Sequence, residues 1–366
     1  MKKIEEIAME YALPQRKYKL AKECYESLAE LLTGNNIQCR IYPQGSFSYG
    51  AITKPYKDGK DSTFDLDVII EFPDTDDTYA KEMMQKIEKI IKNSSFSKYQ
   101  VKIHENGFTI YFENDLSMDI IPAKSENLET KIDIFNNSKE PVFTHDSIKI
   151  PKFNEQRYSF IKNNPKGYKK WFDNINRNSI TADYVRNFKV SLLSETHNLF
   201  FSNIDEIPDD YVVTPLQKVI ILLKRLRDVY YSRIKRKNKP LSGMLCLLAC
   251  EAVKDKPYLS FNDTLTAVID YMLSLKKGDN LNSLHLDDGK WKLINPTNCY
   301  DDLADNWQNS IIDGQVFFDF ISKINLTFCI GIKNNIAINE SVISSMFGRP
   351  LEDYTDVKNT GKSWKA

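Results

Sequence analysis

At 366 residues the chain is long enough to bury a substantial core, as one large two-lobed domain or two ordinary ones. Lys plus Arg and Asp plus Glu number 50 each, so the formal net charge is zero and bulk charge offers nothing to an extended nucleic-acid or membrane partner. Any electrostatic site has to be local.

The opening segment, "MKKIEEIAMEYALPQRKYKLAKECYESLAELLTG", carries charge throughout, so it reads as neither a signal peptide nor a transit sequence. No apolar run approaches the ~18 residues of a membrane span, and the expectation is a soluble, cytoplasmic protein without a membrane partner. The segment has helical period, with a break near Pro14 and a stop at Gly34 and Asn35, where a C-cap glycine is expected. A second helix is predicted from about Tyr79 to Lys92. Around it lie strand-like runs, "IQCRIYPQ", "FDLDVIIEF", "YQVKIHE", "FTIYFE" and "LSMDIIPA", with Asn106 and Gly107 as a turn between two of them.

From about Asn164 onward apolar residues recur at helical spacing and strand signals become sparse. Thr214 is the predicted N-cap and Pro215 the first residue of a helix, "LQKVIILLKRLRDVYYSRIK"; a loop with Lys239 and Pro240 leads to another, "SGMLCLLACEAV". The six cysteines, Cys24, Cys39, Cys246, Cys250, Cys299 and Cys329, are scattered without a C-x-x-C pair, which fits reduced thiols. Cys246 and Cys250 share a predicted helix, but no His or further Cys lies near them, so core packing is expected there rather than a metal. The last dozen residues, "TDVKNTGKSWKA", read as a polar tail.

The chemistry concentrates in "YPQGSFSYGAITKPYKDGKDSTFDLDVIIEF". Alternate residues of a strand face the same side, so Asp65 and Asp67 project together while Phe64, Leu66, Val68 and Ile70 face the core. Two adjacent carboxylates repel and raise each other's pKa unless cations neutralise them. Magnesium, which takes oxygen ligands, does this with one or two carboxylates and substrate phosphates. Asp119, between Met118 and Ile120 in "LSMDIIPA", supplies the third carboxylate of a two-ion site. Gly45 allows close backbone approach to a polyphosphate, and Ser46 donates from hydroxyl and backbone N–H. A lone D-x-D usually marks a solvated edge. A Gly-Ser turn ahead of it, an apolar strand around it and a further strand aspartate together point to nucleotidyl transfer.

These residues carry a resemblance. "PQGSFSYGAITKP", "FDLDVIIEF" and "LSMDIIPA" are similar to the cGAS/DncV-like nucleotidyltransferases, the bacterial CD-NTases of anti-phage signalling (CBASS). "IPKFNEQRYSFIKNNPKGYKKWFDNIN", "TPLQKVIILLKRLRDVYY", "KPLSGMLC" and "INPTNCYDDLADNW" resemble further segments of that family in matching order, so the likeness covers most of the chain. It implies an α+β architecture: a polymerase-beta-like nucleotidyltransferase lobe with a mixed sheet, a mostly helical C-terminal lobe, and an active site in the cleft between them. The boundaries expected are 1–165 for the catalytic lobe with its N-terminal helix, 166–354 for the helical lobe and 355–366 for the tail.

The resemblance further implies two Mg2+ ions, with Mn2+ as a substitute, and nucleoside triphosphates such as ATP or GTP, joined into a cyclic di- or trinucleotide with release of pyrophosphate. A downstream effector activated by the cyclic product comes with it. Asp65, Asp67 and Asp119 become the metal ligands, Asp119 also the base for the attacking ribose hydroxyl. Gln44 and Ser46 contact the nucleotide, and Lys224 and Ser242 contact phosphates from the helical lobe. Each has a plainer alternative: the basic run around Lys224 as a solvated helix face, and Ser242 as an N-cap. Asp301, Asp302 and Asp305 are expected to bias a helix start above a packed Trp307. The zinc-binding insertion of DNA-sensing members is not visible among His104, His145, His197 and His285, so a nucleic-acid activator is not indicated. The terminal Ala366 resembles members whose C-terminus is conjugated by an accompanying ubiquitin-transfer-like enzyme. Two other functions share the signals: a template-independent transferase acting on an RNA end or a protein, and a catalytically silent nucleotide-binding module.

Overall fold

The structure, a computed structural model, describes residues 4–73, 79–113, 115–154, 156–177, 213–257 and 259–349. The polar tail and its expected boundary lie outside these residues. Helices α1 (Ile4–Met9) and α2 (Gln15–Gly34) flank Pro14, whose fixed φ suits the N-cap position it occupies. Gly34 is not the cap expected. It is the last helical residue, and the left-handed position falls to Asn36 at φ 53. The Ile37 N–H then bonds the Leu32 carbonyl at 3.0 Å, a Schellman closure in which asparagine takes the usual place of glycine.

The strands of the first part are β1 (Arg40–Gln44), β2 (Tyr56–Lys57), β3 (Lys60–Asp61), β4 (Phe64–Phe72), β5 (Gln100–Ile103), β6 (Phe108–Phe112), β7 (Leu116–Ser125), β8 (Ile148–Asn154) and β9 (Arg157–Asn163). One mixed sheet has the order β1-β4-β7-β6-β5, with β8 and β9 continuing from β7, and β2 and β3 form a separate hairpin. Only β4 and β7 among its described pairs run parallel, and the chain between them passes through α4 (Ala80–Lys92), β5 and β6. Phe64, Leu66, Val68 and Ile70 alternate onto one face with Met118, Ile120, Phe108 and Ile110, where α2 and α4 cover them in a single core. The opposite face carries the polar side chains at the start of β4 and in β7, and further along it a small apolar cluster of Tyr42, Ile69, Ala123, Ile148 and Ile150. The run "IPKFNEQRYSFIK", noted in sequence only as part of the resemblance, turns out to be the β8–β9 hairpin.

Helix α5 (Leu128–Asn137), not foreseen in sequence, lies between β7 and β8. From Asn164 onward the chain is mainly helical, as its period predicts: α6 (Pro165–Arg177), α7 (Pro215–Arg233), α8 (Ser242–Val253), α9 (Phe261–Ser274) and α10 (Ser310–Ile324). Helix α7 starts as expected, with Thr214 accepting from the Gln217 N–H and Gln217 accepting from the Thr214 N–H. Its apolar residues line a second core together with Cys246 and Cys250, which pack there as free thiols. Ile4, Ile7 and Ala8 of α1 belong to this second core, although α1 precedes the sheet in sequence. A hairpin, β10 (Leu284–Asp287) and β11 (Lys290–Leu293), interrupts the helices, turning through Asp288 and Gly289 at positive φ.

Two expectations are corrected here. Asp301, Asp302 and Asp305 do not begin a helix; α10 starts at Ser310 behind the Asn309 cap. Asp302 instead accepts from the Leu293 and Ala304 N–H groups, and Asp301 accepts from Asn295, so these carboxylates brace a loop. Trp307 is buried against Phe317 as expected. Contrary to the sequence expectation, one continuous helical run, Ser310–Lys333, is long and apolar enough to cross a membrane by length and composition. Its Phe317, Phe318, Phe320, Ile321 and Phe328 lie in the second core, which accounts for its apolar character.

The two cores are stitched along α7. Gln217 donates to the Tyr49 carbonyl at 2.9 Å, Lys224 to Ala51 at 2.8 Å and Arg225 to Lys54 at 3.4 Å, while the Thr53 hydroxyl donates back to Ile221 at 3.1 Å. Arg225, 2% exposed, also bonds the Phe347 carbonyl through two nitrogens and Asp61 at 2.8 Å, and its guanidinium lies over the rings of Tyr11 and Tyr56. Removing such a group leaves several acceptors buried without a donor. Arg225→Met is expected to lower unfolding stability by about 3 kcal/mol in denaturant titration; a loss too small to detect would show that these bonds are spare.

Candidate active site

The polar face of the sheet is organised in rows across the strands. Register pairs Gln44 with Asp67, Asp67 with Asp119, Asp119 with Thr109 and Thr109 with Lys102, so one row crosses β1, β4, β7, β6 and β5. The neighbouring row pairs Asp65 with Ser117 and Ser117 with Tyr111. Asp65, Asp67 and Asp119 therefore share one face, and all three line a cleft of about 460 Å³ between the sheet and α7. Asp119 points with the other two, as the alternation of "LSMDIIPA" predicts.

Gln44, Gly45 and Ser46 line the same cleft, and Gly45 opens α3 (Gly45–Ser48) at φ 60. A Cβ at Gly45 would come within 2.6 Å of Asp67 Oδ2, so the turn needs glycine both for its left-handed backbone and for its approach to this carboxylate. The glycine was expected to make room for a polyphosphate. Its nearest constraint is the aspartate.

Lys224 and Ser242 stand on the opposite wall. The solvated-face alternative fails for the first half of the basic run, since Lys224, Arg225 and Arg227 are 6%, 2% and 4% exposed; it holds for Lys235, Arg236 and Lys237. The N-cap alternative for Ser242 fails as well. Leu241 is the N-cap and Ser242 the first helical residue, with its hydroxyl accepting from Arg227 at 3.1 Å. Sequence reasoning did not single out Arg227, Asp228 and Lys239, which complete this wall. Arg227 donates to Asp228 at 3.0 Å and to the Pro240 carbonyl at 3.0 Å, and Lys239 donates to Asp228 at 2.6 Å. The available signal was the setting of "IILLKRLRDV", whose apolar residues fall all round the helix instead of on one stripe, the pattern of a buried helix.

Electrostatics divide the cleft. Burial, then the Asp119 and Asp65 carboxylates, push Asp67 up to about 8, against the pull of Lys224. Asp65 is raised by burial and held back by the Ser117 hydroxyl, which donates to its Oδ1. Asp119 Oδ1 accepts from Thr109 at 2.5 Å. Across the cleft, burial and Arg227 bring Lys224 down to about 8, against Asp228 and Asp67. Among the described residues no three His, Cys, Asp or Glu side chains stand close enough to hold an ion by themselves. The chemistry of the donor set still fits a hard divalent cation: three carboxylates share one face, and a cation between them relieves their repulsion.

No protein-family model matches the chain. It is similar to a c-di-GMP synthase of Roseivirga ehrenbergii, 25% identical over 320 residues that span 86% of this chain and 73% of the relative. Among solved structures it resembles the Bradyrhizobium diazoefficiens CD-NTase CdnG in complex with GTP, with a TM-score of 0.68, 17% identity and 94% of each chain covered. It also resembles Escherichia coli MS115-1 CdnC with ATP, with a TM-score of 0.59, 14% identity and 94% and 96% covered.

The Arg227–Asp228–Lys239 network makes a measurable demand on pH. Burial pushes the Asp228 carboxyl up, but Arg227 and Lys239 outweigh it and hold it below the usual range. A depressed carboxylate gives stability that is complete above its unfolded value, about 3.9, and is lost as pH falls through the folded value. Asp228→Asn is expected to lose about 3 kcal/mol near pH 7, a deficit that shrinks below about pH 4. Denaturation at a series of pH values checks this, and a deficit that stays constant into acid would contradict it.

Proposed function

From the cGAS/DncV-like nucleotidyltransferase fold that this chain has, we propose that it joins nucleoside triphosphates into a cyclic di- or trinucleotide with release of pyrophosphate. The observation that carries this reading is the row of carboxylates, Asp67 beside Asp119 with Asp65 one step along, facing a cleft whose other wall offers Lys224 and Ser242. Gly45 and Ser46 take the triphosphate through backbone and hydroxyl donors, with Gln44 beside them. Lys224 and Ser242 contact it from above. Asp65, Asp67 and Asp119 hold magnesium, with manganese as a substitute. The chemistry that two such ions supply is activation of the attacking hydroxyl and neutralisation of charge on the leaving pyrophosphate.

Asp119 accepts the proton of the attacking ribose hydroxyl. The ribose oxygen then bonds the α-phosphorus, and the bond from that phosphorus to the bridging oxygen breaks. A second transfer of the same kind closes a dinucleotide ring. Because the Roseivirga relative is named a c-di-GMP synthase, GTP is the first triphosphate to test. Within this proposal the chain is cytoplasmic, its product serves anti-phage signalling through an effector, and its C-terminus is the place for conjugation.

Incubation with labelled nucleoside triphosphates and magnesium is expected to yield small, phosphatase-resistant products of cyclic mass, and EDTA to abolish them. Asp65→Asn, Asp67→Asn and Asp119→Asn are each expected to reduce formation to background. Melting temperature should be unchanged or raised in Asp67→Asn, since a neutral amide removes repulsion. Label found only on added RNA or protein would favour a template-independent transferase. Turnover surviving the Asp65→Asn, Asp67→Asn double replacement would overturn the assignment of the site.

A further inference from the structure

We infer that Thr109 and His104 form a positioning chain behind Asp119, fixing which of its oxygens faces the reacting groups; this rests on the role proposed above for Asp119. Thr109 opposes Asp119 across the antiparallel β6–β7 pair, and register alone brings its side chain beside the carboxylate. It is 5% exposed, and its hydroxyl donates to Asp119 Oδ1 at 2.5 Å. A hydroxyl has one proton to give. His104 Nε2 lies 2.7 Å from Thr109 Oγ1, whose own proton is already given to Asp119, so the imidazole has to be the donor there, and His104 carries a proton on Nε2. The bonds run in one direction, from imidazole N–H to hydroxyl to carboxylate.

The histidine owes its place to the β5–β6 hairpin. The His104 N–H bonds the Gly107 carbonyl at 2.8 Å, and Gly107 presses on β7 so closely that a Cβ would stand 2.3 Å from the Ile120 carbonyl. The tip is therefore seated against the residue following Asp119, and the imidazole arrives at a fixed depth. Among the described residues Asp119 Oδ2 accepts no hydrogen bond, so the chain occupies Oδ1 and leaves Oδ2 for cation and hydroxyl. Asp65 has a comparable hydroxyl from Ser117, but the group beside that hydroxyl among the described residues is the Thr63 hydroxyl rather than an imidazole. Hydrogen bonds behind a ligating carboxylate orient it, and losing one typically costs about 10–100-fold.

Two readouts test this. In the nucleotide-free protein labelled with 15N-histidine, the signal lost in His104→Gln is expected to report the Nε2–H form in the wild type. In turnover of labelled triphosphates, Thr109→Val, which keeps shape and removes the hydroxyl, is expected to lower kcat about 10–100-fold with KM unchanged. Thr109→Ser is expected to restore most of it. His104→Ala, on the hairpin rather than in the sheet, guards against a folding defect at Thr109 and is expected to fall short of His104→Gln, whose amide N–H can still donate. Wild-type turnover in Thr109→Val, or an Nδ1–H tautomer at His104, overturns the chain. A wild-type protein that makes no nucleotide product sinks the function proposed above instead, and the tautomer then decides the chain alone.

Discussion

The in-register parallel pairing of β4 with β7 is the constraint on which the site depends. It sets Asp67 directly beside Asp119 and, through the next strands, sets Gln44 on one side and Thr109 on the other. A slip of one residue in β7 would turn Asp119 into the core and Met118 into the cleft. The apolar face prevents that slip. Leu66, Val68, Ile70, Met118 and Ile120 are fully buried, each contributing roughly 1.5–3 kcal/mol, which together offsets the cost of crowding carboxylates on the other side.

The two walls of the cleft solve opposite problems. On the sheet, like charges are held together by a rigid backbone, and two of the three are steadied by hydroxyls from adjacent strands. On the helical wall unlike charges are in contact, with Asp228 between the buried Arg227 of α7 and the half-exposed Lys239 of the loop that follows, so this network is satisfied within itself. Ser242 is held by that network rather than at a helix cap. The sheet wall invites a cation, and the helical wall already holds its own.

Much of this arrangement is legible in the sequence. Period-2 alternation gave β4 and β7 with their aspartates on the correct face, and the Thr-Pro start of α7 was read to the residue. What sequence did not give was register. Nothing local says that Ser117 lies beside Asp65, because that pairing joins strands far apart in the chain; Thr109 meets Asp119 across the adjacent β6–β7 pair, whose register is set by turn geometry rather than by the alternation of either strand. The β10–β11 hairpin was missed although Asp288 and Gly289 supply its turn signal, since the helical period around it dominated. The basic run of α7 was weighed by its charge when its apolar neighbours carried the information. The helix expected at Asp301 failed because a short acidic loop and a helix start share the same residues.

The stitching along α7 bears on how anything enters or leaves. Donors and acceptors from Gln217 to Arg225 meet the chain between Tyr49 and Lys54, a length of helix of about 12 Å at 1.5 Å per residue. One attachment would be a hinge; four in a line make a weld. Prising the walls apart on that side would break all of them at about 1 kcal/mol each, plus whatever Arg225 holds at Phe347. Access to the cleft is therefore confined to its other margins rather than to a parting of the two halves along this line.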